Sequence, residues 1–172
     1  VPVGIAAAGF GDPDGDGLLP WVEARLKELG AEVPALFDEG DGIDFEAVAD
    51  TAPDVILASY SGITQEEYDT LSKIAPTIAY PDVAWGTSMH DMVEMNSEAL
   101  GMAEEGEQLN ADLEAQVADI SAEHPELEGT SAMFAYLDPK DLSQVGFYTT
   151  HDTRPAFLTD LGMTTPTVVE DA

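Results

Sequence analysis

The 172-residue chain is predicted to be an α/β protein with two lobes of mostly parallel sheet, bridged by one long helix. Three observations predict this. Short apolar runs alternate with segments of helical spacing up to about residue 80, the pattern of strands and helices in succession. Positions 88–122 then hold a helical pattern with no proline. Strand-like and helical runs resume beyond it. The expected segments are 1–87 for the first lobe, 88–122 for the bridging helix and 123–172 for the second lobe.

In order, residues 1–8 (VPVGIAAA) read as a buried strand. Residues 18–29 (LLPWVEARLKEL) read as a helix with Trp21, Val22, Leu26 and Leu29 near one face, stopped at Gly30. Asp44 caps a short helix over 44–49. Residues 55–58 (VILA) are a short buried strand. Thr64 and Glu67 have the spacing of a capping box for a helix reaching about residue 74. Residues 77–80 form another strand. In the long helical span, Leu100, Leu109, Leu113, Val117 and Ile120 carry the apolar stripe, and Gly101 and Gly106 suggest a bend. His124-Pro125 ends it. Residues 131–137 (SAMFAYL) and 145–149 (VGFYT) read as strands, 155–161 (PAFLTDL) as a helix stopped by Gly162, and 167–169 as the start of a last strand.

Composition excludes several functions. Asp and Glu number 35 against 5 Lys and Arg, a net charge of -30. Nucleic acid and anionic membrane surfaces need a basic face and are excluded as partners. Frequent, patterned apolar residues argue against disorder despite the acidity. No cysteine is present, so disulfides, thiolate metal sites and cysteine nucleophiles are excluded. No nucleophile elbow, phosphate loop or zinc motif occurs, so an enzyme is not expected. The chain opens on Val1 directly into a strand, which reads as a trimmed product whose true start lies upstream.

One motif stands out. From Asp12 the sequence runs D-x-D-x-D-G-x5-E, the spacing of a calcium loop with Asp12, Asp14, Asp16 and Glu23 as ligands and Gly17 at the turn. It lies between a strand and a helix, which excludes a paired helix–loop–helix module. A lone structural calcium site stays open, and a calcium-binding module is the alternative function from another class. Where about one residue in five is acidic, such matches also arise by chance.

Residues 43–85 (IDFEAVADTAPDVILASYSGITQEEYDTLSKIAPTIAYPDVAW) resemble substrate-binding proteins of iron–siderophore ABC transporters. The resemblance continues through 147–163 (FYTTHDTRPAFLTDLGM) and covers nearly all the chain. It implies two Rossmann-like lobes joined by a rigid helix, with the ligand between them. It also implies a fragment, since a full member would extend beyond both ends. The implied function is an extracytoplasmic, monomeric binding protein, periplasmic or lipid-anchored, that captures a ferric siderophore and delivers it to a permease. No cofactor is required. Haem or cobalamin is the near alternative as ligand.

Candidate ligand contacts follow from strand ends and from the resemblance. Tyr60, Ser61 and Gly62 follow the strand VILAS, where α/β folds place ligands. Trp85 follows the next strand, with Thr87 and Ser88 as hydroxyl donors; Trp21 is a weaker aromatic candidate. Arg154, the only Lys or Arg after Lys140, matches a family arginine that meets the oxygens around the ferric centre, a task suited to guanidinium. Tyr148 and Thr150 lie near it. Against each stands a packing role, or for Arg154 a surface ion pair. Glu46 matches a family acid that docks to the permease; one more solvated glutamate is the alternative. His90, His124 and His151 lack metal-site spacing and read as solvated or structural. Because so acidic a protein repels anions, a neutral or cationic hydroxamate complex is the expected ligand.

Overall fold

A computed structural model describes residues 1–170; the last two residues of the expected 123–172 segment lie outside the described residues. The chain divides into two compact units: Val1–Ile56 with Thr64–Thr77, and Leu57–Ile63 with the chain from Ile78 on.

In the first unit, β1 (Gly4–Ala6) pairs in parallel with β2 (Ala35–Phe37). β2 is a strand that local pattern does not reveal. Its three residues are bounded by Pro34 and an acidic turn, and only the partner strand makes them regular. Between them runs α1 (Pro20–Leu29), which starts with proline in its first turn, where a missing N–H costs nothing. Gly30 ends it in the left-handed region, φ 61°. Of the expected apolar stripe only Leu26 is buried; Trp21 is 66% exposed. α2 (Phe45–Asp50) is capped by Asp44, whose carboxylate accepts the Ala47 N–H at 3.0 Å. α3 (Gln65–Leu71) carries the expected capping box. Thr64 accepts the Glu67 N–H, and Glu67 accepts the Thr64 N–H at 2.7 Å. Thr64→Ala removes half of this exchange and should cost about 1 kcal/mol, measurable by denaturant titration. Leu18, Leu26, Leu71 and Ala75 form the buried apolar set of this unit.

β3 (Ile56–Ala58) pairs with β4 (Thr77–Ala79). From the C-terminal ends of these strands begin the loops that carry the second unit's site.

The expected single helix over 88–122 is two helices. α4 (Met89–Ala99) is capped by Ser88, and α5 (Ala103–Glu123) runs back beside it. Gly101, at φ 70°, ends α4; its N–H reaches the Glu98 carbonyl and the Met102 N–H reaches that of Ser97. This pair of bonds satisfies the carbonyls of the last turn and reverses the chain, which only a residue tolerant of positive φ does cheaply. Gly106 then packs against Ser97, and Asn110 Nδ2 donates to the His90 carbonyl at 3.1 Å. Thus α4 and α5 form an antiparallel hairpin, and 21 residues, not the whole span, make the long helix.

α5 ends at His124, before a 3-10 turn over Pro125–Leu127. The expected strand over 131–137 splits in two. Ser131 forms an isolated parallel bridge with Thr164, while β5 (Ala135–Asp138) pairs antiparallel with β6 (Asp141–Phe147). This antiparallel hairpin differs from the parallel pairing of β1 with β2. The two-residue turn at Pro139-Lys140 permits only antiparallel return. Its apolar side chains are not a buried core either: Tyr136, Leu137, Leu142 and Val145 are all exposed. α6 (Thr153–Asp160) is capped by Asp152. The last element is α7 (Thr167–Glu170), a short helix in place of the expected strand. Pro166 accepts the Val169 and Glu170 N–H groups, and Val169 is buried.

Candidate functional site

Three segments of the second unit converge: 59–63 after β3, 83–87 after β4, and 148–154, which runs from the end of β6 into the first turn of α6. Tyr60 and Trp85 meet edge to face, ring centroids 5.3 Å apart and 75° between planes, a favoured aromatic geometry. The Tyr60 hydroxyl lies 3.4 Å from Thr153 Oγ1, which links the first loop to the third. Trp85 has φ 62°, a left-handed conformation that costs a bulky residue of order 1–3 kcal/mol and concentrates at ligand sites. The Trp85 N–H donates to the Ser61 carbonyl at 2.9 Å, which holds it there. Its ring lies over Gly62, where a Cβ would stand 2.5 Å from the indole nitrogen.

Trp85 is 52% exposed. Gly62→Val should therefore push it outward, red-shift its emission and cost under about 1 kcal/mol, since a half-exposed side chain can move without opening a core. Fluorescence and thermal melting check both parts.

The hydroxyls play other parts than expected. Thr87 is buried at 2% exposure, and its Oγ1 donates to the Ser59 carbonyl. It pins the 83–87 loop and does not face outward as a ligand donor. Ser61 Oγ donates to the Ala58 carbonyl at 2.8 Å, and Ser88 caps α4. Ser59 Oγ donates to Asn96 at 2.9 Å, tying the same loop to α4.

The third loop is built around Arg154. Its Nε and Nη2 donate to the two carboxylate oxygens of Asp152 at 2.7 and 2.6 Å. Its guanidinium lies over the Tyr148 ring, 3.5 Å from the centroid, an attractive cation–π contact. Tyr148 in turn touches Tyr136 at 5.6 Å between centroids. Tyr136 lies across Gly146, its register partner on β6, where any Cβ would collide with the ring. The Arg154 fork, chiefly its side-chain hydrogen bonds, holds the Asp152 carboxyl below the usual carboxylate range; Asp152 raises the arginine in return. The ion-pair alternative weighed for Arg154 is therefore present, with its partner two residues away. It leaves 43% of the arginine side chain exposed, with Nη1 uncommitted to Asp152. Asp152, Thr153, Tyr136 and Gly146 escaped the sequence reading. Asp152 alone had a local signal, as an acid one residue before a helix.

The remaining candidates are exposed side chains. Trp21 belongs to the first unit and is exposed. Glu46 projects from the first turn of α2 and is exposed. Thr150 is exposed.

The calcium reading is not supported. The Asp12 carboxylate accepts the Gly15 and Gly17 N–H groups, each at 2.8 Å, and Asp16 accepts the Leu18 N–H at 2.9 Å. Backbone N–H groups, that of Gly17 foremost, draw Asp12 below its usual pKa. The loop is thus a turn closed by aspartates on its own backbone. Among the described residues only His90, Asp91 and Glu94 bring three ligand-type atoms within 4.8 Å of one another, and all three are exposed. Asp12, Asp14, Asp16 and Glu23 do not gather. His124 pairs with Glu126 at 3.0 Å, and the backbone of His151 abuts Gly86.

Together the three loops present aromatic rings and an arginine forked onto its own aspartate. A family model described as periplasmic binding protein matches residues 11–169, and the chain belongs to that family. No curated protein matches it by sequence. Among solved structures it is similar to the iron uptake ABC transporter substrate-binding protein PiaA of Streptococcus pneumoniae. In complex with ferrichrome, PiaA is 43% identical, with a TM-score of 0.91 over 99% of this chain and 57% of that one. A periplasmic solute binding protein of Mycobacterium smegmatis is 26% identical, with a TM-score of 0.79 over 96% of this chain and 56% of that one. Staphylococcus aureus SirA, at 22% identity and a TM-score of 0.75 over 99% of this chain and 57% of its own, shares the fold. The chain thus spans little more than half the length of the structures it matches.

Proposed function

We propose that this chain belongs to an extracytoplasmic substrate-binding protein that captures a ferric siderophore and hands it to an ABC permease for iron uptake. The observation that carries the reading is the cluster of Tyr60, Trp85, Tyr148 and Arg154. It occurs in a chain 43% identical to a protein solved with ferrichrome. Aromatic faces suit the apolar skirt of a hydroxamate siderophore, and guanidinium N–H groups suit its iron-bound oxygens. The same similarity favours a ferric siderophore over haem or cobalamin. No bond is made or broken, so the task is capture and release. Periplasmic binding proteins work outside the cytoplasm, and among the described residues no helix is long and apolar enough to cross a membrane. Exposed Glu46 on α2 is proposed to meet basic residues of the permease. The net charge of -30 favours neutral or cationic complexes over anionic ones.

Fluorescence titration with ferric complexes of each class tests the reading. Saturable quenching of Trp85 by a neutral ferric trihydroxamate such as ferrichrome is expected, with Trp85→Phe removing it and leaving the Trp21 signal. Response to a ferric tris-catecholate alone would overturn the hydroxamate assignment, and response to no ferric complex would overturn the transport reading.

A further inference from the structure

We propose that Asp152 is a specificity-determining residue, positioning Arg154 and cancelling its charge so that the site selects electrically neutral ferric complexes. This rests on the siderophore reading above.

Arg154 is the only Lys or Arg beyond Lys140, in a chain of net charge -30. A lone guanidinium there would be the natural receptor for an anion. The structure does not leave it lone. Both Asp152 carboxylate oxygens are engaged, by Nε at 2.7 Å and Nη2 at 2.6 Å, the paired geometry that fixes orientation as well as charge. The Asp152 side chain is only 15% exposed against 43% for Arg154, so the acid is the shielded partner and the arginine the presented one. One guanidinium face is covered by Tyr148. Asp152 Oδ1 also accepts the Arg154 N–H at 2.9 Å as the cap of α6, which anchors the carboxylate to the helix. Nη1 makes neither of the bonds to Asp152, so the pair leaves its N–H groups for a ligand while carrying almost no net charge. A ferric trihydroxamate is neutral, since three hydroxamates balance Fe(III), and its oxygens accept such donors. A ferric tris-catecholate carries three negative charges and gains no net Coulomb attraction from a neutralised pair.

The test measures dissociation constants of ferrichrome and of a ferric tris-catecholate for the protein at its full natural length, as wild type, Asp152→Asn, Asp152→Ser and Asp152→Glu. Asn and Ser keep an N-cap for α6 but remove the charge; Glu restores it. Asn or Ser is expected to lower the preference for the neutral complex about tenfold or more, by freeing one positive charge to face three negative ones. The shift should shrink as salt rises, and Glu should recover much of the wild-type preference. Thermal melting selects whichever neutral variant is folded. If Asn or Ser weakens both complexes by the same factor, Asp152 is merely structural and the inference fails. If the wild type binds no ferric complex, the siderophore reading itself has failed, a result distinct from an unchanged ratio.

Discussion

Arg154→Ala should weaken ferrichrome binding by roughly 10- to 150-fold, the loss of one or two hydrogen bonds from a charged donor worth about 1.5–3 kcal/mol. Its guanidinium is half exposed, stacked on Tyr148 and locked by Asp152, so little entropy remains to be lost when a ligand arrives. Arg154→Lys should recover only part of the loss, because an ammonium cannot hold the fork to Asp152 and donate outward in the same fixed geometry. Isothermal calorimetry on the three proteins decides it. Affinity unchanged in the alanine variant would reduce Arg154 to a surface ion pair, which in exposed settings is worth little.

Gly106→Val should have the largest effect on stability, about 1–3 kcal/mol for an overpacked contact, or roughly 2–12 °C in Tm. A Cβ at Gly106 would overlap the Ser97 side chain across the α4–α5 hairpin. Ser97 Oγ donates to the Glu94 carbonyl at 2.9 Å, so it is held in place and the helices must part. Intrinsic propensity points the other way, since glycine is the poorer helix former. A stabilised Val variant would therefore show that the two helices do not pack at this point. Ser97→Gly in the same background makes room, and should return part of the lost stability as a coupling between the two sites.

These two sites differ in how far they could be read from sequence. Arg154 was legible as a scarce cation ahead of a helix. Its effective charge was not, because that depends on where the Asp152 carboxylate turns. Gly106 was legible only as a weak point in a helix. Its true role, close approach of a second helix, needs the reversal at Gly101. A glycine can continue a helix or end it in the left-handed region, and nothing local chooses between them. Reading one helix over 88–122 followed from that ambiguity. The same limit hid β2 and turned 167–169 from a strand into α7, since segments of three or four residues take their state from their partners. The aspartate loop illustrates the converse. Its spacing suits calcium, but carboxylates this close to free backbone N–H groups bond to those first.

By itself the sequence determined the caps at Asp44 and Thr64, the stops at Gly30 and Gly162, the α/β class and the family resemblance. Each rests on interactions spanning a few residues, or on a long pattern of side chains that survives without coordinates. Only the tertiary structure decided which candidates meet. Tyr60 and Thr153 come together across 93 positions, Trp85 is held at positive φ over Gly62, and Thr87 is buried as a strut. Contacts between distant positions depend on how strand ends and loops converge, and that convergence is set by packing of the whole unit, which no local run of residues encodes.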